Sequence, residues 1–208
     1  MNNTHVLDHP FIADSLTHLR DKETQIEKFR HHSDKICRLL ITEAVRDVEL
    51  MDVKIETPLA IISSKKLSEE IILVPVLRAG LALLIEAVRF LPKSKVGFVG
   101  LERDEQTAIA REYYWKLPKI SPNSLVIVAD PMLATGGSIL HTLRRIAKEN
   151  PKKIRIACVI AAPEGIEAVN KEFPDVEIFT AAVDDHLNDK KYIVPGLGDF
   201  GDRYFGTT

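Results

Sequence analysis

The chain has 208 residues, with 28 Lys plus Arg against 30 Asp plus Glu and a formal net charge of −2 at pH 7. That length suits a single domain with a substantial core, and the balanced charge offers no bulk electrostatic attraction for nucleic acid. No run approaches the roughly 18 apolar residues of a membrane helix, the segment Met1–Pro10 lacks the apolar stretch of a signal peptide, and the two cysteines, Cys37 and Cys158, stand apart in apolar patterns, so a cytoplasmic protein with buried thiols is expected.

Between Thr24 and Leu50, Ile36, Leu40, Ala44 and Val48 recur at four-residue spacing, with Phe29 seven before Ile36. This predicts helix, and residues 1–55 are read as the N-terminal helical region of the domain. Ile71–Leu77 is an unbroken apolar run closed by Arg78-Ala79-Gly80, and Leu81–Leu91 reads as a helix stopped by Pro92. Val96–Leu101 is a second run. The stretch Glu102–Ser124 carries both signs of charge and the cluster Tyr113-Tyr114-Trp115, and its Pro118 and Pro122 favour a flap or β-arm over a crossover helix. Leu125–Ala129, Ile154–Ala162 and Val176–Val183 are further runs, with helical stretches at Ile139–Lys148 and Glu164–Lys171. Runs apolar on both faces and separated by helices predict an α/β fold with an open, mostly parallel five-stranded sheet flanked by helices. His31-His32, and Asp184-Asp185-His186 with Asp189, have metal-ligand chemistry, but a solvated loop is the better reading of His186 and no protein metal site is assigned.

In open α/β sheets ligands bind beyond the carboxyl ends of the strands. Arg78, Arg103 and Asp130 all follow predicted strands. The most pointed segment is Val126–Ser138, where an apolar strand stops at Asp130 and passes through Pro131-Met132-Leu133-Ala134-Thr135-Gly136-Gly137-Ser138 into a helical pattern. The free N–H groups and positive dipole end of such a helix seat a phosphate. Two glycines let the main chain close on it, Thr135 and Ser138 can donate to its oxygens, and Asp130 can accept from a sugar diol. A plain N-capped turn needs fewer of these features, and the spacing lacks the Lys of a Walker-type loop.

Gly196, Gly198 and Gly201 match the dinucleotide fingerprint letter for letter. The match fails on context, because no helix, further strand and acid follow. The glycines instead mark a loop whose backbone approaches something closely, anchored by Tyr192, Ile193, Tyr204 and Phe205 within a C-terminal hood at 184–208.

The Asp130–Ser138 string resembles the 5-phosphoribosyl-1-pyrophosphate (PRPP) loop of the type I phosphoribosyltransferases, in the form typical of the uracil phosphoribosyltransferases, and the tail resembles the uracil-binding loop of the latter. Further likeness lies at His9-Pro10, Leu19–Thr24, Val76–Gly80, Gly100–Asp104, Glu112-Tyr113-Tyr114 and Lys116-Leu117-Pro118. Two departures stand out. The strand before the loop usually ends in two acids, where here Asp130 precedes Pro131, and the tail usually has Ala where this chain has Phe200, whose bulk bears on the shape of the pocket. The resemblance implies conversion of uracil and PRPP to UMP and pyrophosphate, with catalytic roles for Asp130, Arg103 and Asp199. It further implies that PRPP is held by Arg78, Arg103, Asp130, Pro131, Met132, Leu133, Ala134, Thr135, Gly136, Gly137, Ser138 and Asp199, and that uracil meets the main chain at Ile193 and at Gly198, Asp199 and Phe200. Mg²⁺ carried mainly by PRPP, a homodimer or larger homo-oligomer, and a GTP effector as in some members belong to the same expectation. Two other readings stand beside it: a phosphoribosyltransferase for another base, and a nucleotide-sensing RNA-binding regulator on the same fold, against which the near-neutral charge weighs.

Overall fold

A computed structural model describes residues 3–103 and 110–207, apart from the side chains at 103 and 110. The elements are, in chain order, β1 (Thr4–Val6), α1 (Pro10–Arg20), α2 (Ile26–Ala44), β2 (Leu50–Glu56), β3 (Ile61–Leu67), β4 (Glu70–Leu77), α3 (Leu81–Phe90), β5 (Lys95–Val96), β6 (Phe98–Arg103), β7 (Ala110–Lys116), β8 (Ser124–Ala129), β9 (Met132–Leu133), α4 (Gly137–Ile146), β10 (Lys153–Ala161), α5 (Pro163–Glu172), β11 (Glu177–Val183), β12 (His186–Leu187), β13 (Ile193–Val194) and α6 (Phe200–Phe205).

The main sheet runs β1-β11-β10-β8-β4-β6-β7, with short β5 on β4 and β9 on β10. Every pairing on that path is parallel except β6 with β7. The apolar runs of the sequence are its contiguous centre, β11-β10-β8-β4-β6, and the sheet is wider than the expected five strands because of its edges. β1 is too short to show a period, and β7 is the arm, folded back antiparallel on β6. Residues 104–109 of that arm lie outside the described residues.

Alternation along the strands divides the core in two, since successive side chains point to opposite faces. Ile71, Leu73, Leu125 and Ile127 face a cluster built with α1, α2, α3 and α6, whereas Ile72, Val74, Val126 and Val128 face the side covered by α4 and α5. Cys37 and Cys158 are buried, one in each cluster, and burial pushes both thiols up to about 12. The N-terminal helix reading overshoots: α2 ends at Ala44, and Leu50–Glu56 is β2, paired antiparallel with β3 as a separate ribbon. Val48 completed the helical period, yet it is buried by the turn that follows the helix rather than by the helix itself. Among the described residues no helix is long and apolar enough to cross a membrane.

Candidate active site

β4 and β8 are adjacent and parallel, with Pro75 beside Ala129, so Arg78 and Asp130 leave the same edge of the sheet. After Asp130 the chain makes the two-residue strand β9 against β10, then turns at Gly136 into α4. Gly136 has φ +80°, a left-handed conformation that costs an L side chain about 1–2 kcal/mol, which is why a glycine caps this helix. The first-turn N–H groups of α4 therefore open onto the space beyond the strands, where the helix dipole favours an anion. The Gly137 N–H reaches Thr135 Oγ1 at 3.4 Å. Pro131 departs from its expected role. It is buried, and its carbonyl accepts from Val159 and Ile160 N–H at 2.8 and 3.0 Å, so it pins the loop to β10 instead of facing a ligand.

The tail closes the opposite side. β13 pairs antiparallel with β12, where His186 is exposed as expected, and the following loop is held from within by Asp184, a buried carboxylate. Asp184 accepts from Gly196 N–H at 2.8 Å and from both Arg20 Nη atoms at 2.5 and 2.8 Å, while Arg20 Nη1 also donates to the Gly196 carbonyl at 2.9 Å. Arg203 donates to the carbonyls of Leu19, Leu197 (2.6 Å) and Asp21 (2.6 Å). Asp199 Oδ1 accepts from the Asp202 N–H at 2.9 Å and so caps α6.

Between loop and tail lies a cleft of about 310 Å³ whose walls include Arg78, Asp130, the Met132–Ser138 segment, Ile193, Gly198, Asp199 and Phe200. The structure thus brings together the proposed sugar-phosphate loop and the proposed base loop. Pro131 is not in the wall, and the Arg103 side chain lies outside the described residues, although its backbone ends β6. Arg78 Nη2 donates to Asp202 Oδ1 at 3.1 Å, which ties the first strand end to the tail. Asp130 is the most perturbed group here: burial pushes its carboxyl up to about 7, the Met132 N–H at 3.3 Å opposes that, and the Asp199 charge adds to it.

Lys191 also lines the cleft and was missed by sequence reasoning, and Tyr192, read there only as an anchor, lines it too. The available signal was Asn188, whose side chain accepts from the N–H groups of Lys190 and Tyr192 at 3.0 Å each and so folds the turn that presents them.

The Phe200 ring does not fill the cleft. It is 1 % exposed and packs against Phe29 at 5.3 Å and Tyr204 at 5.9 Å between centroids. Phe200→Ala is therefore expected to act through the core, lowering stability by about 3–5 kcal/mol as other Phe-to-Ala cavities do, with the choice between uracil and cytosine unchanged. Urea denaturation together with a two-base competition assay reads both. A change of base preference without loss of stability would contradict this packing.

A family model described as uracil phosphoribosyltransferase matches residues 6–207. Curated relatives with that name include one from Shouchella clausii, 47% identical over 208 residues and covering 100% of both chains, and one from Staphylococcus aureus, 46% identical over 208 residues with the same coverage. Among solved structures, the AQ2163 protein from Aquifex aeolicus superposes with a TM-score of 0.94 at 40% identity, covering 99% of each chain. The adenine phosphoribosyltransferase of Trypanosoma brucei reaches 0.59 at 11% identity, over 88% of this chain and 84% of that one, which is a likeness of fold.

Proposed function

We propose, for a chain that belongs to the uracil phosphoribosyltransferase family, a division of labour between the two walls of its cleft. The protein transfers the phosphoribosyl group of PRPP to uracil, giving UMP and pyrophosphate. The observation that carries the assignment of roles is a single cleft with a phosphate-seating helix start on one side and a glycine-rich, side-chain-poor loop on the other.

In this reading the 5-phosphate sits on the α4 N-terminus, held by N–H groups of Thr135–Ser138 and by the Thr135 and Ser138 hydroxyls. Asp130 accepts from the ribose hydroxyls and fixes the anomeric carbon. Arg78 and Arg103 meet the pyrophosphate, because guanidinium forks match phosphate oxygens and stabilise the charge that develops as it leaves. Uracil N1 then displaces pyrophosphate through a transition state of oxocarbenium character. No protein nucleophile is needed, so the protein's contribution is orientation and charge stabilisation.

Ile193 and Gly198–Phe200 present main-chain groups to the base. An N–H, C=O, N–H pattern complements O4, N3–H and O2 of uracil, whereas cytosine would leave two of those groups wrongly paired. The carboxylates of Asp130 and Asp199 in the cleft are hard oxygen donors suited to a Mg²⁺ that arrives with PRPP. When bound, that ion would neutralise pyrophosphate charge.

A homo-oligomer belongs to the same proposal, supported by the β2–β3 ribbon, where Leu59 and Ile61 are 96 % and 72 % exposed. The substrate assignment is tested by pyrophosphate release with uracil, cytosine, hypoxanthine and orotate. Uracil should be the base used; turnover with hypoxanthine or orotate in its place would overturn the base assignment.

A further inference from the structure

We propose that Asp14, His18 and His32 form a binding site for a first-row divalent transition metal of the Zn²⁺ kind, which clips α1 to α2. Asp14 and His18 are four residues apart on α1 and so lie on one face of the helix, one turn above the other. α2 brings His32 to that face, and one ligand atom from each residue lies within 4.8 Å of the others. Tetrahedral Zn²⁺ holds N and O donors at about 2.0–2.2 Å, which places them roughly 3.4 Å from one another. In the proposed site, side-chain rotation of Asp14 and His18 closes the remaining gap.

The residue that does not need to move is already oriented. His32 is buried, and its Nδ1 lies 3.2 Å from the Oγ of Ser15, itself fully buried beside Asp14 in sequence. With Nδ1–H donated to that oxygen, Nε2 carries the lone pair, which is the arrangement by which an outer partner sets the tautomer of a metal-binding histidine. The rings of His18 and His32 are stacked at 4.0 Å between centroids. Two imidazoles at that distance gain little from each other and would gain an ion between their nitrogens once His18 turns. Two imidazoles and one carboxylate suit Zn²⁺ and its neighbours rather than Mg²⁺, and a water completes four-coordination on the open side. None of the three residues lines the substrate cleft, so the site is separate from it.

The clip would tighten the helix that holds the base loop, since the Leu19 and Asp21 carbonyls and Arg20 follow His18 directly. The test uses untagged, chelator-treated protein titrated with ZnCl₂ by calorimetry in excess Mg²⁺, which competes for the hard carboxylate oxygens of the cleft. One Zn²⁺ per chain is expected, with a rise in the thermal midpoint. His18→Ala and Asp14→Asn should each weaken binding about tenfold or more and abolish the rise, while far-ultraviolet circular dichroism without metal stays as in the parent. His32→Ala opens a buried site, so the decision rests on the two α1 variants. Absence of stoichiometric binding, or undiminished Zn²⁺ affinity in His18→Ala, overturns the proposal.

Discussion

Asp130→Asn is expected to lower kcat/KM for PRPP by about 10²-fold or more while the protein keeps its fold. The proposed role is to accept hydrogen bonds from the ribose diol with both carboxylate oxygens. An amide offers one acceptor and turns a donor toward a hydroxyl, so the anomeric carbon is no longer held in line with uracil. The same carboxyl gives a pH signature. Its pKa is pushed up to about 7 by burial and by Asp199, so in the free enzyme the accepting form is lost as pH falls through about 7. The kcat/KM for PRPP should show that acid limb in the parent and lack it in the variant. Stability moves the other way. Between the ordinary carboxylate range and about 7 the folded state holds a proton that the unfolded chain has released, so stability falls as pH rises across that window. The Asn variant removes that term and should melt no lower than the parent at neutral pH. Near-parental turnover would remove Asp130 from the mechanism, and a lower melting point would mean that the loss came from the fold.

Gly196→Ala is expected to raise the KM for uracil about tenfold or more and to leave PRPP affinity, measured by calorimetry, nearly unchanged. Gly196 has φ +63°, and a Cβ there would stand 2.2 Å from the Ile193 carbonyl oxygen, a clash with the main chain that no rotamer relieves. The left-handed backbone adds about 1–2 kcal/mol for an L residue. Relief therefore requires Ile193 to move, and Ile193 is one of the main-chain groups proposed to read the base. Gly198→Ala makes the control. It also has a positive φ, +81°, but its Cβ would meet only the Arg203 side chain at 3.7 Å, so its effect should be smaller. Deleting the tail is a blunter experiment, because Leu197, Phe200 and Tyr204 belong to the core and their loss would unfold more than the base loop. An unchanged uracil KM in Gly196→Ala would sink main-chain reading at Ile193.

Much of the sheet was legible because buried parallel strands cannot hide: β4, β8, β10 and β11 are apolar on both faces and punctuated by helices. The Asp130–Ser138 loop was legible for a related reason, since a left-handed glycine at a helix start and an acid at a strand end are local features. What escaped depended on partners distant in the chain. Asp184 reads as one more charge in an acidic stretch until Arg20 is brought against it from 164 residues away. Phe200 reads as bulk beside the base until α6 turns its ring onto Phe29. The ribbon β2–β3 has no buried residue on either strand, so it carries no core period to detect. Pro131 reads as part of a phosphate loop because it lies within the Asp130–Ser138 string, and only the bonds from β10 to its carbonyl reveal it as an anchor.

The bonds that span the chain also set an order of events. The base loop is fastened at Gly196 by Arg20, 176 residues earlier, and the Arg203 side chain reaches back 184 residues to the Leu19 carbonyl. Strands β4, β6 and β8 and the Asp130–Ser138 turn all precede these fastenings in the chain, so their local structure does not depend on them. On the roles proposed here, the base loop is among the last parts of the molecule to be fastened.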